Sequence, residues 1–208
     1  MGLMLRGVTL MFALSNLAGT AAINLKNDKV AVTEFSLRPG ESQRVEERRP
    51  ALTVYFNDGT LEYAARDGAR NSVTVSRGLV AFSAAWEGEV RNSGSSGLKF
   101  VRTEFLTEGE DATWGVAGLS PNYKLLVENR YTRAYDIKIP AGGIEPQHTH
   151  KARVVICLSG ATLKHLMPDG REEPSTLKTG EIAWRQGGTH LGQNLGATDL
   201  WVIAVEPK

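Results

Sequence analysis

The sequence predicts an all-β protein made of two tandem β-barrels. Three observations carry this expectation. Glycine is frequent (22 of 208 residues) while aromatic residues are few (7%). Segments of alternating polarity are broken repeatedly at Gly, Pro, Asn and Asp, as in a chain of strands and turns. The third observation is a self-similarity at a constant offset of 102 positions: Asn27 with Asn129, Gly40 with Gly142, Asp67-Gly68 with Asp169-Gly170, Gly78 with Gly180, Asn92 with Asn194, Gly94 with Gly196 and Glu104 with Glu206. Single glycine coincidences are cheap, but an ungapped register over about 80 positions marks a duplicated unit.

The elements follow in matched pairs. Residues 30–37 and 132–139 open the two copies as strands that end in Pro/Gly turns. The short apolar runs 51–56 and 154–158 suit buried strands. Alternating strands at 60–65 and 161–167 close at Asp67-Gly68 and Asp169-Gly170, because Gly accepts the positive φ of a tight hairpin. Residues 78–82 and 180–184 begin a further hairpin, and 98–105 and 199–205 are the last strands. A small repeated β unit that closes its own sheet loses its exposed edges, which favours two stacked barrels. The barrels are expected at 23–106 and 129–208. Residues 107–128 read as a linker that packs across the units through Trp114, Leu119 and Tyr123.

The N-terminus differs from the rest. Arg6 precedes a mostly apolar stretch at 7–17, and small residues follow at Ala18, Gly19, Ala21 and Ala22. This order matches a secretory signal peptide cut near Ala22, so residues 1–22 are expected to be a leader and the protein periplasmic or secreted. The apolar core is too short for a transmembrane anchor. The formal charge of +1 leaves no nucleic-acid footprint. The mixed-sign run 44–49 reads as a solvated edge. Cys157 is the one cysteine, which excludes an internal disulfide; in its apolar run it is expected to be buried and inert.

The chemistry concentrates in the second copy, which holds all four histidines. His148 and His150 are one residue apart, so on a strand they point the same way. His190 can join them if the chain folds back as a barrel. Three converging imidazoles form a transition-metal ligand set with positions left open for water or substrate. His165 shares a strand face with Leu163 and Met167, which points it into the barrel as a pocket base, a partner of a ligand, or a core histidine. Parity counted from His148 puts Glu145 on the opposite face, so it is not expected in the site. Trp184 and Trp201 read as core, and Asn194 as a turn former.

On these residues the second copy resembles a cupin, a small jelly-roll barrel. Gly142, His148, His150 and Gly160 match the first cupin motif, and Gly180, Gly188, His190 and Asn194 the second, with Gln186 where Pro is usual and one residue fewer between Gly188 and His190. Through the repeat, the whole chain resembles a bicupin. Two departures stand out. No acidic residue follows His150 at the usual glutamate position, where Arg153, Val154 and Val155 stand. In the first copy, the positions of His148, His150 and His190 hold Glu46, Arg48 and Gly88, so the N-terminal cupin lacks the ligands. The resemblance implies a divalent metal on His148, His150 and His190, iron first, with zinc, manganese or nickel as alternatives. A three-His set is similar to the centres of thiol and diketone dioxygenase cupins. It keeps the full charge of the ion and favours an anionic or chelating small-molecule substrate. Arg153, turned inward, would attract such an anion, and with His165 it is the expected catalytic residue. Two functions stay open here: a metal-dependent, dioxygenase-like enzyme, and a non-enzymatic small-ligand-binding or structural cupin of the cell envelope. Cupins commonly dimerise, so the resemblance also implies a homodimer.

Overall fold

The computed structural model describes residues 19–47, 49–109 and 120–208, and in these residues all regular structure is β. Most of the expected leader, together with Trp114 and Leu119 of the expected linker, lies outside the described residues. The first unit contains β1 (Thr20–Lys26), β2 (Val30–Leu37), β3 (Ser42–Glu47), β4 (Ala51–Tyr55), β5 (Gly59–Ala65), β6 (Arg70–Val75), β7 (Val80–Ser83), β8 (Trp86–Asn92) and β9 (Leu98–Phe105). The second contains β10 (Tyr123–Glu128), β11 (Thr132–Ile139), β12 (Ile144–His150), β13 (Arg153–Ser159), β14 (Ala161–Leu166), β15 (Glu172–Leu177), β16 (Ile182–Arg185), β17 (Gly188–Asn194) and β18 (Leu200–Pro207).

Each unit is a five-stranded sheet facing a four-stranded one. The orders are β1-β2-β9-β4-β7 with β3-β8-β5-β6, and β10-β11-β18-β13-β16 with β12-β17-β14-β15. Adding nine to every strand number of the first unit gives the second, so the sequence repeat is a repeat of topology. The turns carry it in their backbone. Gly40 and Gly142 (φ 80° and 72°), Gly68 and Gly170 (87° and 84°), and Gly78 and Gly180 (79° and 88°) share left-handed conformations that glycine adopts without a Cβ penalty. Asn92 and Asn194 repeat a second device. Each is fully buried and donates its amide to two backbone carbonyls, of Leu37 and Ser96 or of Ile139 and Thr198. The expected turn-forming role of Asn194 is thus what its side chain performs.

Part of the expected linker is a strand. Tyr123 opens β10, which pairs with β11 just as β1 pairs with β2. β1 begins at Thr20, so a cut near Ala22 would trim its first residues.

The apolar residues form three layers. Phe35, Leu37, Tyr55, Leu61 and Phe100 fill the first barrel, and Ile137, Ile139, Cys157, Leu163 and Val202 the second. The third cluster lies between the two barrels. Val30, Val32, Leu52, Val54 and Val101 from the first five-stranded sheet meet Val154, Ile156, Ile203 and Val205 from the second. The central strands are therefore buried on both faces, which is why β4 and β13 read as continuous apolar runs rather than alternating ones. Trp184 and Trp201 pack against this shared layer, as expected of core residues.

Candidate metal centre

β12 and β17 are paired antiparallel neighbours, and His148 stands directly opposite His190. His150 lies on the same face of β12, one alternation on. Hence one nitrogen from each of His148, His150 and His190 lies within 4.8 Å of the other two. The ring centroids are 4.7 Å (His148–His190), 5.1 Å (His150–His190) and 5.7 Å (His148–His150) apart. All three side chains are buried.

Their hydrogen bonds select a tautomer. His148 Nδ1 lies 3.0 Å from the carbonyl of Pro146, and His150 Nδ1 lies 3.0 Å from that of Lys151. A carbonyl only accepts, so each Nδ1 carries the proton and each Nε2 presents a lone pair. This is the outer-shell pattern that fixes metal-binding imidazoles. Burial pushes the pKa of His150 and of His190 down to about 3, with Arg153 adding to the effect at His150 and His165 at His190. His148 is lowered as well, mainly by burial. The trio therefore stays neutral, the form that ligates a metal.

His165 points into the barrel, as its strand face predicted. Its ring stacks on His190 at 4.3 Å between centroids and 24° between planes. It stands among the side chains around a cavity of about 400 Å³, together with Arg153, Tyr123, His150 and His190. Arg153 is buried, and it turns inward. Its Nη1 donates to the Tyr123 hydroxyl at 2.6 Å, and its Nε has no hydrogen-bond partner. The Tyr123 hydroxyl in turn lies 3.2 Å from His148 Nε2, to which it donates. Burial raises Tyr123 to about 12, so the phenol keeps its proton.

The placement of Glu145 corrects the sequence reading. Glu145 pairs with Gly192, and His148 with His190. Three positions on β12 thus match two on β17, which is a β-bulge. Parity shifts by one, and Glu145 joins the face of the histidines. Two successive residues, Pro146 and Gln147, are exposed at the bulge. Proline inside a strand is itself a mark of a bulge or edge, and that was the signal available in the sequence. The carboxylate is 4% exposed, its Oε1 lacks a hydrogen-bond partner, and it stands 3.5 Å from His148 Nε2. Burial raises its pKa to about 7, against the opposing pull of Arg153. Gly192 makes the room: a Cβ there would come within 2.9 Å of Glu145 Oε2. A carboxylate oxygen thus faces an imidazole lone pair with nothing donated between them. Two acceptors face to face call for a proton or a cation, and the donor set beside them fits a divalent transition metal.

Neither a protein-family model nor a curated protein matches the chain, but solved structures do. A cupin 2 conserved barrel domain protein from Leptotrichia buccalis is similar over 95% of this chain and 92% of its own, at 16% identity and a TM-score of 0.59. AerE from Microcystis aeruginosa is similar over 92% and 98%, at 14% identity and a TM-score of 0.61. Oxalate decarboxylase from Bacillus subtilis is similar over 91% and 72%, at 10% identity and a TM-score of 0.63. The fold is the cupin fold. At these identities the likeness speaks for architecture, and the chemistry has to be argued from the cupin site itself.

Proposed function

We propose that the C-terminal cupin barrel holds one divalent metal ion through His148, His150 and His190, and that it uses the ion in an enzymatic, dioxygenase-type reaction on a small oxygenated anion. One observation carries this reading: three buried imidazoles bring one ring nitrogen each to within 4.8 Å of the others, at the edge of a cavity of about 400 Å³. Bound there, the ion would supply Lewis-acid or redox chemistry. We expect iron, with zinc, manganese or nickel as the alternatives.

The other roles belong to the chain's own side chains. Arg153 offers positive charge and an unused Nε–H to an anionic group in the cavity. Tyr123 couples Arg153 to His148 and holds its phenolic proton next to the trio. Glu145 is placed to accept a proton from a substrate or water beside His148. His165, stacked on His190, orients that ring and borders the same space. The similar solved structure from Bacillus subtilis is an oxalate decarboxylase. A small carboxylate is accordingly the first substrate class to test.

Elemental analysis of the purified protein, followed by oxygen uptake with small carboxylates, thiols, diketones and phenols, tests the reading. About one metal ion per chain is expected, lost when His148 and His150 become Ala, together with uptake on at least one class. Absence of metal from the wild type, after growth with iron, zinc, manganese and nickel, would overturn it. Stoichiometric metal without turnover would favour a second reading, a non-enzymatic ligand-binding or structural cupin. That reading draws on the absence of an acidic residue after His150. For location we propose the periplasm or the exterior, on the leader-like composition of residues 1–22. We propose a homodimer as the assembly.

A further inference from the structure

The first barrel has lost the histidines but not its interior space. A cavity of about 470 Å³ lies in it, bordered by Tyr55, Tyr63, Ala65, Ala81 and Trp86 among others. At the 102 offset, Tyr63 stands at the place of His165, Tyr55 at that of Cys157 and Trp86 at that of Gly188. Ala65, Ala69 and Ala84, on the same border, stand where the second copy has Met167, Arg171 and Gln186. Relative to the second copy, three rings are gained or enlarged and three long side chains are cut back to methyl groups. At Gly88, the place of His190, a Cβ would lie 2.3 Å from the Ala64 carbonyl oxygen and 2.5 Å from Trp86 Cζ2, so an imidazole has no room there.

The polar feature of this space is a pair of phenols. Tyr55 and Tyr63 bring their hydroxyl oxygens to 3.0 Å. Burial raises the pKa of both, so both keep their protons. One hydrogen bond between two hydroxyls uses one O–H and leaves the other without an acceptor among the described residues. The bond already made polarises that second O–H and strengthens it as a donor. Beside the pair, Trp86 meets Tyr63 edge-on, with centroids 5.6 Å apart and planes at 79°. Among the described residues that border the cavity, none is acidic and none is a histidine or cysteine. Arg102 lies on the same border, but its guanidinium is engaged within the wall: it donates to Thr53 Oγ1 and to Ser83 Oγ, and the charge of Glu104 acts on it. What the space offers a ligand is apolar walls and one directed hydroxyl donor.

We propose that the N-terminal barrel is a second, metal-independent binding site for a small neutral aromatic carbonyl compound, an aldehyde or ketone whose oxygen accepts from the Tyr55/Tyr63 pair and whose ring packs against Trp86. A carbonyl oxygen accepts without bringing a hydrogen that would need an acceptor of its own. A neutral group also avoids the desolvation cost that a carboxylate would carry into such a space. A ring suits the aromatic wall, where edge-to-face and offset contacts are favourable. Apolar walls with a few placed polar groups are the general form of a small-molecule site, and this volume lies in the usual range. The site shares no residue with the metal centre, so it stands whether or not the trio binds an ion.

The test uses the full chain after removal of metal with a chelator, so that the second barrel cannot coordinate the probe. Acetophenone is titrated by calorimetry and by ligand-observed NMR, beside ethylbenzene, which has the same outline but no oxygen. Acetophenone should bind once per chain with a Kd below about 1 mM. The double variant Tyr55→Phe/Tyr63→Phe should weaken acetophenone about three- to tenfold, the size of one net hydrogen bond, and leave ethylbenzene unchanged. Removing both hydroxyls together keeps the ring shapes and strands neither partner, so the fold should hold. Ala65→Met, which places there the residue of the second copy, should fill the space and weaken both probes at least about tenfold. The double variant His148→Ala/His150→Ala should bind both as the wild type does. Circular dichroism checks folding, and Ala65→Met carries the test if the phenylalanine pair fails to fold. No binding of acetophenone up to about 10 mM would overturn the proposal. So would an equal effect of the phenylalanine pair on the two probes, retention of binding in Ala65→Met, or loss in the histidine variant.

Discussion

Glu145 stands 3.5 Å from His148, on the same face of one strand, although three positions separate them. The bulge at Pro146 makes this possible, and Gly192 leaves the space. The pair has consequences for stability. In the folded chain Glu145 keeps its proton up to about pH 7, whereas unfolded it ionises near the ordinary 4.5. Between these values the folded state binds more protons, so the contribution of Glu145 to stability is full below pH 4.5 and is lost as pH rises through 7. Glu145→Gln should therefore leave the metal-free protein unchanged at pH 4.5 and stabilise it at pH 8 by about 1–3 kcal/mol. Thermal melts at the two pH values check this. An equal effect at both would mean that the carboxylate is not held protonated by its burial.

The histidines act in the opposite sense. His150 and His190 are lowered to about 3, while in the unfolded chain they titrate near 6.5. As pH falls below 6.5 the unfolded state gains protons that the folded state refuses. The metal-free protein should lose stability steadily from pH 6.5 to about 3. His150→Ala should flatten that slope, which denaturant titrations across the range would show.

A ligand that binds only the folded state stabilises it by mass action. With metal at about a hundred times its Kd, the melting free energy should rise by about 2.7 kcal/mol. Chelation should remove the increment, and His148→Ala should abolish the difference between loaded and stripped protein. Differential scanning calorimetry with and without chelator is the measurement. Equal melting of the two wild-type samples would deny the trio its ion.

The contact between the barrels predicts how the chain unfolds. Ile203 is fully buried in the layer shared by both units. Ile203→Ala should cost about 2–5 kcal/mol, the range for deleting a large buried aliphatic group. Because the layer belongs to both barrels, urea unfolding should stay a single transition for wild type and variant. Two separated transitions would show that each barrel is stable without the other.

The sequence made the architecture legible because turns are written in residues with few substitutes. Gly40, Gly68 and Gly78 recur at Gly142, Gly170 and Gly180, since a left-handed backbone tolerates little else. Strand parity then brought His148, His150 and His165 to one interior. It failed at Glu145, because a bulge changes parity without changing composition, and Pro146 was the only trace of it. The role of Tyr123 was hidden for a different reason. Its strand lay in a stretch that read as linker, and its hydroxyl meets Arg153 and His148 only through the sheet. The layer between the barrels was visible only as two apolar runs, which a barrel interior would explain equally well.

Gly192 offers the sharpest separation of site from scaffold. A methyl group there would stand 2.9 Å from Glu145 Oε2 and 3.4 Å from its Cβ. The nearest atom is the far end of a flexible side chain, so the carboxylate can swing away instead of the sheet giving way. Gly192→Ala should therefore melt within about 1 kcal/mol of the wild type, as a substitution that strains no backbone does. Yet it should reproduce the Glu145→Gln phenotype, losing the pH-dependent destabilisation and shifting metal affinity in the same direction and by a similar factor. Gly188→Ala is the control, because nothing lies within 4 Å of a Cβ at that position, and it should change neither. Paired metal titrations of the three variants decide it. If Gly192→Ala binds metal as the wild type does while Glu145→Gln does not, the carboxylate acts from a position other than the one Gly192 keeps open.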